Sequence, residues 1–224
     1  MISKVATALH VILAVAILAV TVRVLQDEAN KKRGIVQILV PDVVGSIATA
    51  VKSVASSVIT AAVTSGESLA AASLPSSVSV GTKYACVDSR CADIPGSALR
   101  LVQDLAPFVS SPKELEKLQG LVGKCPNLET VLSAGLALVL VSTILLLAGL
   151  KFRMLSFVSF GLNVVAAVLF AVVTGFAVSL HTTSHAVADL LGVEASKGDV
   201  FGASIGDLVA SLVMCALSLF QIFL

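Results

Sequence analysis

The chain has 224 residues, 57% hydrophobic and only 13% charged, with a formal net charge of +1 and a mean hydropathy of +1.01. An ordinary soluble domain is about 45–50% apolar, so water is not the main solvent for this chain. The near-neutral balance and the lack of a basic stripe give no sign of a nucleic-acid partner.

About 20 apolar residues at 1.5 Å each cross a hydrocarbon core of about 30 Å. Four runs reach that length: Val5–Val22, Thr130–Leu150, Met154–Leu180 and Phe201–Leu224. The first has a rival reading as a cleaved signal peptide, with Lys4 before it and Ala19-Val20-Thr21 as a small-residue cleavage site. Its span length, and the lack of a clear A-x-A motif, favour a retained helix. Lys and Arg in short loops mark the cytoplasmic side. The tight turn 151–153, with Lys151 and Arg153, is therefore expected in the cytoplasm together with residues 1–4 and the carboxy terminus. Residues 23–129 and 181–200 then lie outside. Arg23, Lys31, Lys32 and Arg33 argue the other way, but long loops translocate largely regardless of charge.

Residues 23–129 are long enough for a small ectodomain. "RVLQDEANKKRG" reads as a charged continuation of the first helix that ends at Gly34. After Pro41, apolar Val44, Ile47, Val51, Val54, Val58 and Ala61 recur at steps of three and four, the pattern of an amphipathic helix. A fifth span over residues 43–63 would bury Lys52, at a cost of about 2.5–3.5 kcal/mol. Val78 and Val80 alternate with serines in one short extended segment. Leu99, Val102 and Leu105 share a helical face, and Ser111 before Pro112 starts another helix.

Three of the four cysteines, Cys86, Cys91 and Cys125, fall in this loop, and Cys215 falls in the fourth span as a small packing residue. In an oxidising compartment the C-x4-C pair Cys86 and Cys91 would close a small disulfide loop, although Cys125 is open to either partner. Zinc is the rival, but the loop lacks histidine and has too few ligands for a closed tetrahedral site. No metal or other cofactor is expected.

The four spans, the paired-cysteine motif preceded by "LPSSVSVGTKYAC" and followed by "CADIP", and the basic turn between spans two and three together resemble the fungal PalI-like family of four-span membrane proteins. That family includes eisosome cortical-patch proteins and an ambient-pH regulator. The layout is also claudin-like, but the claudin signature needs a tryptophan and this chain has none. The resemblance implies a plasma-membrane protein whose Cys86–Cys91 motif shapes the ectodomain and which organises patches or signalling without catalysis. PalI-like members often carry a cytoplasmic tail, whereas this chain stops at Leu224 in its last span, so a tail-borne role is not expected.

In the third span Ser159, Asn163, Ala167, Ala171, Gly175 and Ser179 form a row of small or polar residues four apart, and Gly202, Gly206 and Ala210 repeat it in the fourth. Such rows let helix backbones approach closely, and they are read as packing seams, within the bundle or between copies. His181, His185 and Asp189 share a face if the third helix continues past Leu180, a spacing suited to a metal or to a pH-responsive patch, with exposed helix-end histidines as the plainer reading. Asp207 is ionisable inside a span and so counts as a functional candidate. Near the outer end of the helix, it is expected to be satisfied by water or His185. His10 is a weaker lead of the same kind. "GASIG", residues 202–206, matches a nucleophile elbow only formally, because it opens an apolar helix rather than a strand-turn-helix.

The reading is an all-α membrane protein, a four-transmembrane-helix bundle with a largely helical, disulfide-pinned extracellular first loop. It organises the plasma membrane as a homo- or hetero-oligomer with other membrane proteins, and no small-molecule substrate is evident. The alternatives are a channel or transporter subunit using Asp207, His10 and Asn163, and a sensor of ambient pH.

Overall fold

The computed structural model describes residues 2–39, 77–88, 90–94, 112–149, 153–191 and 195–223. Helix α1 (Ile2–Gln26) is followed by the short α2 (Glu28–Arg33), then strands β1 (Val36–Leu39), β2 (Ser77–Val80), β3 (Tyr84–Val87) and β4 (Arg90–Asp93). Helices α3 (Pro112–Lys124), α4 (Leu128–Gly149) and α5 (Arg153–Leu191), strand β5 (Ala195–Lys197) and α6 (Asp199–Phe223) complete the chain. The amphipathic stretch 44–61, the possible fifth span 43–63, the face of Leu99, Val102 and Leu105, and Lys151 of the basic turn lie outside the described residues.

Helices α1, α4, α5 and α6 are each long and apolar enough to cross a membrane, the layout of a multi-pass membrane protein. α1 packs on α4 and α6, and α5 on the same two, so the four close into a bundle. Their outward faces carry Ile12, Val15, Ile144, Phe157, Val168 and Val209, side chains that lipid solvates. Small and polar residues fill much of the interior: Ser142, Ser159, Ala166, Ala167 and Ser204 are all buried. That arrangement suits lipid, where association relies on close packing and interhelical hydrogen bonds.

The charged segment after the first span is not one continuous helix. α1 stops at Gln26, and Asp27 leaves the helical conformation (φ −79°, ψ 114°) to accept a hydrogen bond from Ala29 N at 2.8 Å. This side-chain cap satisfies one of the free amides that begin α2. The turn redirects the chain into β1.

Among the described residues the first loop is helical at both ends, but it is not helix alone. It builds four strands, and the second loop adds a fifth, in one antiparallel sheet ordered β4-β3-β2-β1-β5. Val36 faces Val80, Ile38 faces Val78, and Val80 faces Ala85, so these apolar residues share one side. Val36, Val80 and Ala85 join Ile35, Ile94 and Val200 in a core continuous with the bundle's Ile17, Val139 and Phe170. Ile38 packs with Ala188 of α5 in a second small cluster. Cys86 lies opposite Ser79 and Cys91, on the other face of the pleat. The extended segment read at Val78 and Val80 is β2. Each strand has only three or four residues, which leaves too little periodicity to distinguish the others from loop.

Two glycines let backbones meet where the sheet joins the helices. A Cβ on Gly81 would fall on the main chain of Lys31 and Lys32 in α2, and one on Gly198 on the main chain of Arg33 and Gly34. The approach is used: Thr82 N and Lys83 N donate to Asn30 O and Lys31 O, each at 3.2 Å. Asn127 starts α4 by accepting from Thr130 N at 3.1 Å. Lys83 reaches Glu129 at 3.8 Å, a further tie between sheet and bundle.

Candidate functional site

The buried face of α6 reads Val200, Ser204, Asp207, Ser211, Met214 and Ser218, steps of four and three that keep one line along a helix. Four of the six are polar, an unusual interior for a helix surrounded by lipid. α1 answers with Thr7, His10, Ala14, Ile17 and Thr21, all buried. The two helices run antiparallel, so the sheet end of one meets the sheet end of the other.

Near the sheet, Thr21 Oγ1 donates to Asp207 Oδ2 at 2.9 Å, with both residues buried. The partner of Asp207 is thus Thr21, not His185, whose Nδ1 lies 3.6 Å from Asp189 on its own helix. Ser204 and Ser211 donate back to Phe201 O and Leu208 O, and Thr174 of α5 donates to Ser204 O at 3.0 Å.

At the far end of the bundle, Asn163 Nδ2 donates to Ser218 Oγ at 2.9 Å. His10 Nδ1 lies 3.5 Å from the same hydroxyl, the outer limit of a hydrogen bond. Gln221 Nε2 donates to Thr7 Oγ1 at 3.0 Å. His10 Nε2 and Asn163 Oδ1 are buried without a partner among the described residues. Ser142 and Ser159 clasp α4 to α5 by donating to each other's carbonyl, at 3.2 and 2.8 Å.

Asp207 and His10 therefore sit in separate stations. His10 meets α6 at Ser218, 11 residues along from Asp207, or about 16 Å at 1.5 Å per residue. Between them lie Ala14, Ile17 and Met214, each no more than 3% exposed. Chemically, each station is an interhelical clasp, and an apolar layer separates the two.

The predicted small-residue rows divide. Ser159, Asn163 and Ala167 are buried in the bundle, but Ala171 and Gly175 are exposed. Residues four apart advance 400°, so the row turns about 40° per step and has rotated about 160° between Ser159 and Gly175. Gly202 and Gly206 also face outward, and Ala210 is half-buried. A Cβ at Gly175, Gly202 or Gly206 would meet nothing within 4 Å. Ala171, Gly175, Gly202 and Gly206 are therefore not seams within one bundle, whereas Ala210 packs against the core; the inner line of α6 runs through Ser204, Asp207 and Ser211.

α5 continues to Leu191, well past the expected end at Leu180, so His181, His185 and Asp189 stand on helix rather than in a loop. The His181 and His185 rings lie 5.4 Å apart, and His181 lies 5.1 Å from the Phe201 ring. Cys86 and Cys91 are joined by a disulfide between directly paired residues of β3 and β4. At the turn of this hairpin, Asp88 adopts φ 53°, a left-handed conformation that Asp tolerates, and accepts from Ser77 N at 2.9 Å. Cys125 is free and buried, and Cys215 is free and half-buried.

The sequence reading missed Thr21, Ser218, Thr7 and Gln221 as partners. The signal was present in the recurrence of Ser204, Ser211 and Ser218 every seven residues, with Asp207 on the same line. No protein-family model matches the chain, and neither does any curated protein.

Proposed function

We propose that the protein is a non-enzymatic organiser of the plasma membrane whose copies associate laterally through the outward face of α6. The observation that carries this reading is the open pair Gly202 and Gly206, one turn apart with nothing near either. Glycine costs a helix about 1 kcal/mol relative to alanine. Glycines four apart favour the close approach of a second helix in lipid, and no helix among the described residues occupies this face. Gly175 and Ala171 offer similar relief on α5. The sheet cap is placed outside the cell in this proposal, with both termini in the cytoplasm, as the basic turn and the PalI-like resemblance suggest.

The test is a clustering measurement on fluorescently tagged protein in cells. Gly202→Leu with Gly206→Leu is expected to disperse the clusters while leaving the monomer folded. Clusters that persist unchanged would sink the reading.

The alternative of a channel or transporter is favoured by the buried Asp207, His10 and Asn163. It would require the apolar layer of Ala14, Ile17 and Met214 to open. Flux in reconstituted vesicles that disappears in Asp207→Ala would favour it over the organiser.

A further inference from the structure

At the junction of sheet and bundle, a cleft of about 280 Å³ is lined by Val20, Arg23 and Val24 of α1, Asn30 of α2, and Asp199 and Ala203 of α6. Taking about 30 Å³ per molecule of liquid water, it has room for about nine waters, more than a single bare ion needs. Arg23 lies in the last turn of the first span and Asp199 opens the last. The cleft therefore sits where headgroups meet the hydrocarbon.

Its polar groups are unspent. Arg23 and Asp199 are exposed, and neither is ion-paired among the described residues. Asn30 is only 5% exposed. Its main-chain carbonyl takes Gly34 N and Thr82 N, yet its carboxamide makes no hydrogen bond to another described residue. Neither atom of that carboxamide is among the fully buried polar atoms without a partner, so the amide is open to the cleft and free to bind what enters it. Opposite charges stand on opposite helices, and the remaining lining, Val20, Val24 and Ala203, is apolar.

We propose that this cleft binds the headgroup of a zwitterionic phospholipid. The Arg23 guanidinium and the Asn30 amide hold the phosphate, Asp199 faces the ammonium, and Val20, Val24 and Ala203 line the start of the acyl chains. Arginine presents a planar fork that matches phosphate. Asp199 opposes a headgroup of net negative charge, so phosphatidylethanolamine or phosphatidylcholine is preferred over phosphatidylglycerol.

The test is native mass spectrometry of the full chain in detergent, titrated with phosphatidylethanolamine, phosphatidylcholine, phosphatidylglycerol or soluble phosphocholine. The two zwitterionic lipids are expected to bind about tenfold more tightly than phosphatidylglycerol, the scale of one charge-assisted hydrogen bond. Arg23→Gln should remove most of that binding. Asp199→Asn, at an exposed position that tolerates the change, should turn the preference toward phosphatidylglycerol. An intact Cys86–Cys91 disulfide and an unchanged melting temperature establish that each variant is folded. Equal binding of all three lipids, or an unchanged preference in Asp199→Asn, would overturn the proposal. So would phosphocholine competing as well as whole lipid, because the ligand would then be a soluble one.

Discussion

Gly81→Ala is the substitution against which the structure is most exposed. The added methyl would fall on the main chain of Lys31 and Lys32, which cannot swing aside as the end of a side chain could. Restoring contact distance needs a shift of α2 against β2 on the order of 1 Å, the scale at which overpacking costs about 1–3 kcal/mol. The same shift lengthens the hydrogen bonds from Thr82 N to Asn30 O and from Lys83 N to Lys31 O, both already at 3.2 Å. Losing two such bonds adds about 1–3 kcal/mol. The expected total is about 2–6 kcal/mol, read as a lowered melting temperature in detergent and faster proteolysis of the sheet. Gly120→Ala, with open space around it on α3, is the control and should gain up to about 1 kcal/mol of helix propensity. A Gly81→Ala protein that melts with the wild type would refute the packing of α2 on the sheet.

Thr21→Val should destabilise the bundle by more than the roughly 0.6 kcal/mol average for hydrogen bonds between membrane helices, toward their maximum of about 1.7 kcal/mol, because it orphans the Asp207 carboxyl. Adding Asp207→Leu should recover part of that loss in a double-mutant thermal melt, since the orphaned group is then gone. Replacing Cys86 and Cys91 together by alanine should cost only about 2 kcal/mol, because the closed loop is so short, and reductant should lower the melting temperature of the wild type alone. Burial pushes the Cys125 thiol from its ordinary value of 9.0 up to about 11. The folded state therefore favours the neutral thiol. That contribution to stability is intact below about pH 9 and fades as pH rises through about 11. At neutral pH, maleimide should modify Cys125 only after unfolding.

The four spans were legible because membrane helices are uniformly apolar over their whole length, and no tertiary partner is needed to recognise them. The sheet was not. β2 announced itself by alternating Ser77, Val78, Ser79 and Val80, but β1 follows a charged helix and β5 is only Ala195-Ser196-Lys197. Those strands exist because segments far apart in sequence pair with one another, an arrangement that no local pattern encodes. The site was half legible. Asp207, Asn163 and His10 stand out as polar residues in apolar runs, whereas Thr21 and Ser218 look ordinary in membrane helices until the antiparallel packing of α1, α5 and α6 brings them opposite. The four-residue rows misled because a true helical line alternates threes and fours.

Cysteine cross-linking in native membranes tests most directly the claim that copies meet through the outer face of α6. Single cysteines at Gly202 and Gly206, in a background carrying Cys215→Ser, are compared with one at Ile144, a 65% exposed residue on the lipid face of α4. The account predicts a disulfide-linked dimer from Gly202 and Gly206 under mild oxidation and none from Ile144. Cross-linking that is absent at both glycines, or equal at Ile144, would contradict it.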